Sequence, residues 1–232
     1  MDAHTDDIRE AERPTDKARY LWNHTTVRRH VHPALISVLV QMAPGHERCM
    51  YCGDNQGTDI DHFEPLTLAP LRTFAWPNHL LACSLCNSHY KRHIFPRDEG
   101  GRPLLLDPTI EDPLEHLHLI LGVGRYEALS PQGTASIDVF GLNRGSLLKG
   151  RLDAYRTAGL FLTQWRNATH KRQYNKARDV VRIAWDRPLA DVLAAMFHQS
   201  ALPVAESLFD GEDDVLELLC DPSVREGFLG GA

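Results

Sequence analysis

No apolar run in this chain approaches the roughly 20 residues needed to cross a bilayer, so no membrane span is expected. The opening stretch, MDAHTDDIREAERPTDK, is acidic and has no apolar core, which argues against a secretory signal and for a cytoplasmic protein. Gly (16) and Pro (14) stay near average usage, excluding collagen-like and low-complexity classes. No internal repeat is present. No G-x-x-x-x-G-K-[ST] loop occurs, so an ATPase motor working with this protein would be a separate chain. Cysteine is scarce: five residues, arranged as two tight pairs and the stray Cys220, a poor set for disulfides and a good one for a metal.

What is present is enough for a packed core. Of 232 residues, 43% are hydrophobic, so burial can offset chain entropy over one or two domains. The net charge of −6 is unevenly spread. From Arg144 to Arg182, Lys149, Arg151, Arg156, Arg166, Lys171, Arg172, Lys176 and Arg178 face only Asp153 and Asp179, whereas the chain from Ile183 onward is strongly acidic. Such asymmetry is either an electrostatic footprint for a nucleic acid or a solvated helix face.

Three regions are expected. Residues 1–48 comprise an acidic, mobile opening and one helix from Pro33 through Leu35, Leu39 and Met42, ended by Pro44-Gly45. Residues 49–143 read as loops, one short helix, a strand at Leu104-Leu105-Leu106 and a hairpin from Arg125 to Phe140 turning at Pro131-Gln132-Gly133. Residues 144–232 read as helical: Pro188 opens a helix with Leu189, Val192, Leu193, Met196 and Phe197 at i, i+3, i+4 spacing and Asp186 as cap. Another runs from Asp213 to Leu219, and Cys220 beside it reads as a buried small hydrophobe. Trp22, Trp165 and Trp185 are either base-stacking residues or core aromatics.

The chemistry lies between Cys49 and Lys91. Cys49-Met-Tyr-Cys52 and Cys83-Ser-Leu-Cys86 are two C-x2-C pairs, each able to direct both sulfurs at one tetrahedral Zn²⁺, with Gly53 easing the first turn. Between the pairs lie Asp61-His62 on a short strand stopped by Pro65, and Trp76-Pro-Asn78. Neighbours on a strand point to opposite faces, so Asp61 and His62 share a site only where the strand bends or ends.

The succession C-x2-C, D-H-x-x-P, Asn, L-L-x-C-x2-C-N and a nearby Lys resembles the HNH nucleases, the zinc-bearing branch of the ββα-metal (His-Me) finger. Further segments extend the likeness to about residue 156 and to the HNH subunits of retron-associated and Septu-type antiphage systems: His62-Phe-Glu-Pro65, Trp76-Pro-Asn78, Phe95-Pro96, Leu105-Leu-Asp-Pro108, Asp112-Pro113 and Gly141-Leu-Asn-Arg144. The resemblance implies an α+β fold: a zinc-stabilised ββα-metal finger with flanking loops and hairpin, followed by a mainly helical region. It implies a metal-dependent DNA endonuclease, with an ATPase or other sensor subunit as partner. His62 matches the general base, Asp61 a ligand of a catalytic Mg²⁺ or Mn²⁺, and Asn78 the residue that holds the loop against the base strand. Asn87 matches the final ligand on the helix. Lys91 follows Asn87 by four positions where three is the family's commoner spacing, and His89 lies between, so either Asn87 or His89 completes the metal shell. Lys91, Arg92 and His93, with Arg144 and Arg151, are then the expected nucleic-acid contacts. A non-catalytic zinc-knuckle module that binds nucleic acid or a partner is the alternative.

Overall fold

A computed structural model describes residues 2–230. The acidic opening stretch, expected to be mobile, is helical: α1 (Asp2–Arg9) and α2 (Pro14–Trp22). The reason is a pattern too short to read from sequence. Ala18, Leu21 and Trp22 fall on one helical face and, with Ile8, bury against Val27, Leu35 and Phe74. A π-helical turn (Val27–Val31) leads into α3 (His32–Met42), which carries Pro33 in its first turn as the sequence predicts.

The first Cys pair forms a tight knuckle. The Gly53 amide donates to the Cys49 carbonyl at 2.9 Å, with Gly53 at φ +67°, a conformation that favours glycine. Then come β1 (Asp59–His62) and β2 (His79–Ala82), antiparallel, with Asp59 opposite Ala82 and His62 opposite His79. The second Cys pair follows β2 and opens a π-helix, Leu85–Lys91.

A second hairpin pairs β3 (Leu117–Ile120) with β4 (Arg125–Ala128). The expected hairpin therefore lies earlier in the chain, and Pro131-Gln132-Gly133 is no turn between strands. It starts α4 (Pro131–Val139): the Ser130 hydroxyl caps the Gly133 amide at 3.0 Å and Pro131 occupies the first turn. Leu104-Leu105-Leu106 forms no strand; Leu105 and Leu106 are buried in irregular chain that bends at Leu105.

The remainder is helical. α5 (Gly145–His170) packs along α6 (Tyr174–Asp186), and α7 (Asp191–Gln199) buries Val192, Leu193, Met196 and Phe197 as predicted. α7 starts later than expected, because Leu189 sits at φ +59° and its amide donates to the Gly53 carbonyl at 2.9 Å; Asp186 ends α6 and caps nothing. α8 (Ala205–Leu208), α9 (Asp213–Cys220) and α10 (Pro222–Leu229) close the chain. Cys220, expected to be buried, is exposed at the last residue of α9, its thiol donating to the Ser200 carbonyl at 3.6 Å. One contiguous hydrophobic cluster runs from Cys49 through the hairpin β3–β4 to Phe228, so the knuckles and the C-terminal helices share a core. Among the described residues, no helix is long and apolar enough to cross a membrane.

Candidate functional site

The four sulfurs of Cys49, Cys52, Cys83 and Cys86 are buried and lie within 4.8 Å of one another. Tetrahedral bonds of about 2.3 Å to a common Zn²⁺ require sulfurs about 3.8 Å apart; the Cys52–Cys83 pair stands at 4.0 Å. The donor set and its geometry fit that ion. Hydrogen bonds among the thiols share the protons unequally. The Cys49 thiol pushes Cys52 down to about 6 and lowers Cys83 further, while Cys49 and Cys86 are raised. Around the sulfurs stand further donors: the Asn55 amide to Cys83 at 3.7 Å, and Arg144 Nη1 to Cys86 at 3.6 Å. Arg144, expected to face a nucleic acid, instead reaches over the cluster and the Phe140 carbonyl, stacked on Tyr90.

Asp61 and His62, adjacent on β1, bury into opposite surroundings. The Asp61 carboxylate accepts from Lys91 Nζ at 2.9 Å and from the Tyr51 hydroxyl at 2.5 Å. Lys91 also donates to the His62 carbonyl at 2.7 Å and has a completely buried side chain. Burial raises Asp61 above the ordinary carboxylate range and lowers Lys91, and the attraction between them opposes both shifts. Lys91 therefore ties the helix to β1 and cannot touch a nucleic-acid backbone, contrary to expectation. Four-residue spacing brings Asn87 and Lys91 onto the face turned to β1, in a helix whose i→i+5 bonds include Arg92 N to Asn87 O. The four-residue spacing thus keeps both side chains on one face of this helix.

His62 faces the other way. Its Nε2 lies 3.0 Å from the Thr73 carbonyl, which His79 Nε2 also meets at 2.9 Å. A carbonyl only accepts, so both Nε2 atoms carry the proton and the neutral His62 ring keeps its lone pair on Nδ1. Trp22 packs edge-on to the His62 ring at 4.4 Å and stacks on His79 at 5.3 Å. Burial first, then His79, push the His62 pKa down to about 3. Asn78, completely buried, fixes the loop that supplies the Thr73 carbonyl. It accepts from the Glu64 amide at 2.8 Å and donates to the carbonyls of Glu64 (3.0 Å) and Arg72 (3.2 Å).

A cleft of about 210 Å³ opens here, lined by Asp61, His62, Asn87, Arg92 and His93 together with Ile60 and the Pro65-Leu66-Thr67 turn. Five of the residues singled out from sequence thus border one space. Arg92 and His93 are exposed, as a phosphate contact requires. His89 is exposed and does not line the cleft. Arg151 is buried, against the expectation of a nucleic-acid contact. It donates to the carbonyls of Gly124 (3.1 Å) and Leu142 (2.8 Å) and lies 4.1 Å over the Tyr126 ring.

One residue was missed. Asp59 shares a strand face with Asp61, is half-buried, and accepts from the Asn87 amide at 3.3 Å. Its carboxylate, unlike that of Asp61, has no cation beside it among the described residues. The signal available in sequence was the i, i+2 pair of acids on a strand.

No family model matches the chain, and no solved structure matches it. It is similar to the Septu protein PtuB of Bacillus mycoides (strain KBAB4), 27% identical over 134 aligned residues. The alignment covers 45% of this chain and 45% of that protein, so the chain spans less than half of the relative's length.

Proposed function

We propose that this protein is a metal-dependent endonuclease of the HNH class that hydrolyses phosphodiester bonds of DNA, acting as the effector of a bacterial antiphage system. The observation that carries the reading is the shared cleft, which the neutral imidazole of His62 lines together with Asn87 and the exposed Arg92 and His93. The succession of β1, β2 and a helix opened by the second Cys pair supports it, as does the likeness to a Septu protein. An ATPase or other sensor subunit is the proposed partner, and the cytoplasm the proposed site of action.

In this reading Nδ1 of His62 accepts a proton from the attacking water, whose oxygen bonds to phosphorus while the bond to the 3′-oxygen breaks. Arg92 and His93 hold the backbone phosphates. Asn78 and Thr73 keep the ring in one tautomer and one orientation. Asn87 and Asp61 on the cleft wall, with Asp59 beside Asn87, would hold Mg²⁺ or Mn²⁺ through oxygen donors once the Lys91 and Tyr51 contacts of Asp61 are shared with the ion, and the ion would supply charge for the phosphate and leaving oxygen. The test is plasmid nicking by purified protein with either ion. His62→Ala should lower the rate by about 10² to 10⁴, the usual worth of a general base; full activity in that variant would refute the assignment.

One observation favours a second reading. The Asp61 carboxylate is already satisfied by Lys91 and Tyr51, as in a purely structural strand clamp. A non-catalytic zinc module would bind nucleic acid or a partner without turnover, and Asp59→Asn and Asp61→Asn would then leave binding unchanged.

A further inference from the structure

A second cavity, of about 580 Å³, opens between α5, α6 and the start of the last turn of α10. None of these elements lines the His62 cleft. Its walls include Trp165, Trp185 and Tyr174, a concentration of aromatic rings in a chain where only 8% of residues are Phe, Trp or Tyr. Trp165 is placed by a close approach: a Cβ on Gly227 would lie 2.2 Å from the indole. Trp185 is fixed by its Nε1 donating to the Phe228 carbonyl at 3.0 Å. Tyr174 is exposed. Trp165 is buried in the core, whereas Trp185 is half-buried and Tyr174 exposed, so the latter two rings supply apolar surface to a space large enough for a small ligand.

The charge at this cavity is positive. Arg178 lines it, is exposed, and has no acid beside it among the described residues; its guanidinium bonds only the Asn175 amide oxygen, at 2.5 Å. Arg182 lines it too, held by loose contacts of 3.4 Å to Asp186 and 3.7 Å to Asp179. Arg182 and Asp186 also border an adjoining notch of about 220 Å³, where Arg48 and Arg187 add guanidinium groups. Thr169, on the cavity wall, has a buried hydroxyl without a partner among the described residues. Aromatic faces beside guanidinium groups recognise one chemistry in particular: a base that stacks and a phosphate that pairs.

We infer that this cavity binds a nucleotide unit, its base against Trp185 and Tyr174 with Trp165 behind them, and its phosphate on Arg178 and Arg182 toward the notch. The unit comes from a free nucleotide or from a nucleic-acid strand.

The experiment is equilibrium titration of the full-length, zinc-loaded protein, in a His62→Ala background so that no strand is cut. Tryptophan fluorescence and calorimetry are read with ATP, a single-stranded dT decamer, ribose 5-phosphate and inorganic phosphate. Saturable binding of ATP or the decamer is expected, with ribose 5-phosphate and phosphate at least about tenfold weaker, a difference of one stacked base or about 1.4 kcal/mol. Tight ATP binding identifies a free-nucleotide site. Binding of the decamer at least tenfold tighter than ATP identifies a strand site; either supports the proposal. Arg178→Glu, on an exposed helix position, should weaken the preferred ligand about tenfold, and Trp185→Phe should retain more affinity than Trp185→Ala. The proposal is overturned if neither ATP nor the decamer saturates, if phosphate alone binds as well, or if Arg178→Glu changes nothing.

Discussion

The His62 ring donates through Nε2 to the main-chain carbonyl of Thr73 at 3.0 Å, and this single contact decides which nitrogen is free. It also joins β1 to a loop whose position depends on Asn78. The burial that lowers the ring's pKa to about 3 keeps it uncharged at physiological pH. Imidazole ¹⁵N shifts should therefore report the Nε2–H tautomer with no inflection between pH 8 and 5. An inflection near pH 6.5, the ordinary value, would contradict the packing described.

Asn78 offers a sharper test of the same arrangement. Asn78→Ala leaves the buried Glu64 amide and the Glu64 and Arg72 carbonyls without a side-chain partner, at about 1–3 kcal/mol for each buried group that stays unpaired. Denaturant unfolding should show a loss of at least about 2 kcal/mol. Nicking by the variant, assayed where it remains folded, should fall even though Asn78 does not line the cleft.

Lys91 and Asp61 form a fully buried pair, so breaking one side should cost more than removing both. Lys91→Met strands a carboxylate in the core and is expected to destabilise by about 3–5 kcal/mol. Lys91→Met with Asp61→Asn should recover part of that loss in a double-mutant cycle. An additive result would mean the two groups do not interact.

Arg144 donates to Cys86 at 3.6 Å, and a Zn(Cys)₄ centre would carry excess negative charge that its guanidinium offsets. Arg144→Gln should weaken zinc retention about 10- to 100-fold, the range for residues that support metal ligands from behind. The measurement is zinc release to a chromogenic chelator, against a wild-type stoichiometry of one ion per chain.

Arg92 and Arg151 should separate cleanly. Arg92→Ala, exposed at the cleft, should weaken nucleic-acid binding and shallow its salt dependence by about one phosphate contact, with little effect on stability. Arg151→Ala should do the reverse: it removes a buried guanidinium from two carbonyls and the Tyr126 face, so thermal unfolding moves and affinity does not.

These contrasts show what the sequence made legible. The cysteine pairs and the Asp-His-Asn set were readable because metal ligands and strand-end motifs are local, with their spacing written directly in the chain. Burial is not local. A count of cations along residues 144–182 registers charge alike at Arg151, which is interred, and at Arg178, which is not. The stretch Ser130-Pro131-Gln132-Gly133 carries signals common to turns and to helix starts, and only the docking of Gly133 against the His116 carbonyl, 2.1 Å from where a Cβ would sit, distinguishes them. The opening helices were hidden because their apolar positions become a face only when folded onto Phe74, far along the chain.

The bond from the Leu189 amide to the Gly53 carbonyl fastens the helical half of the molecule to the very turn that carries Cys49 and Cys52. Stripping the ion from the thiolates would slacken that fastening, so an oxidant or chelator attacking the knuckle would be felt at the start of α7 as well as at the strands. Such wiring would let one chemical insult disarm distant parts of the molecule together.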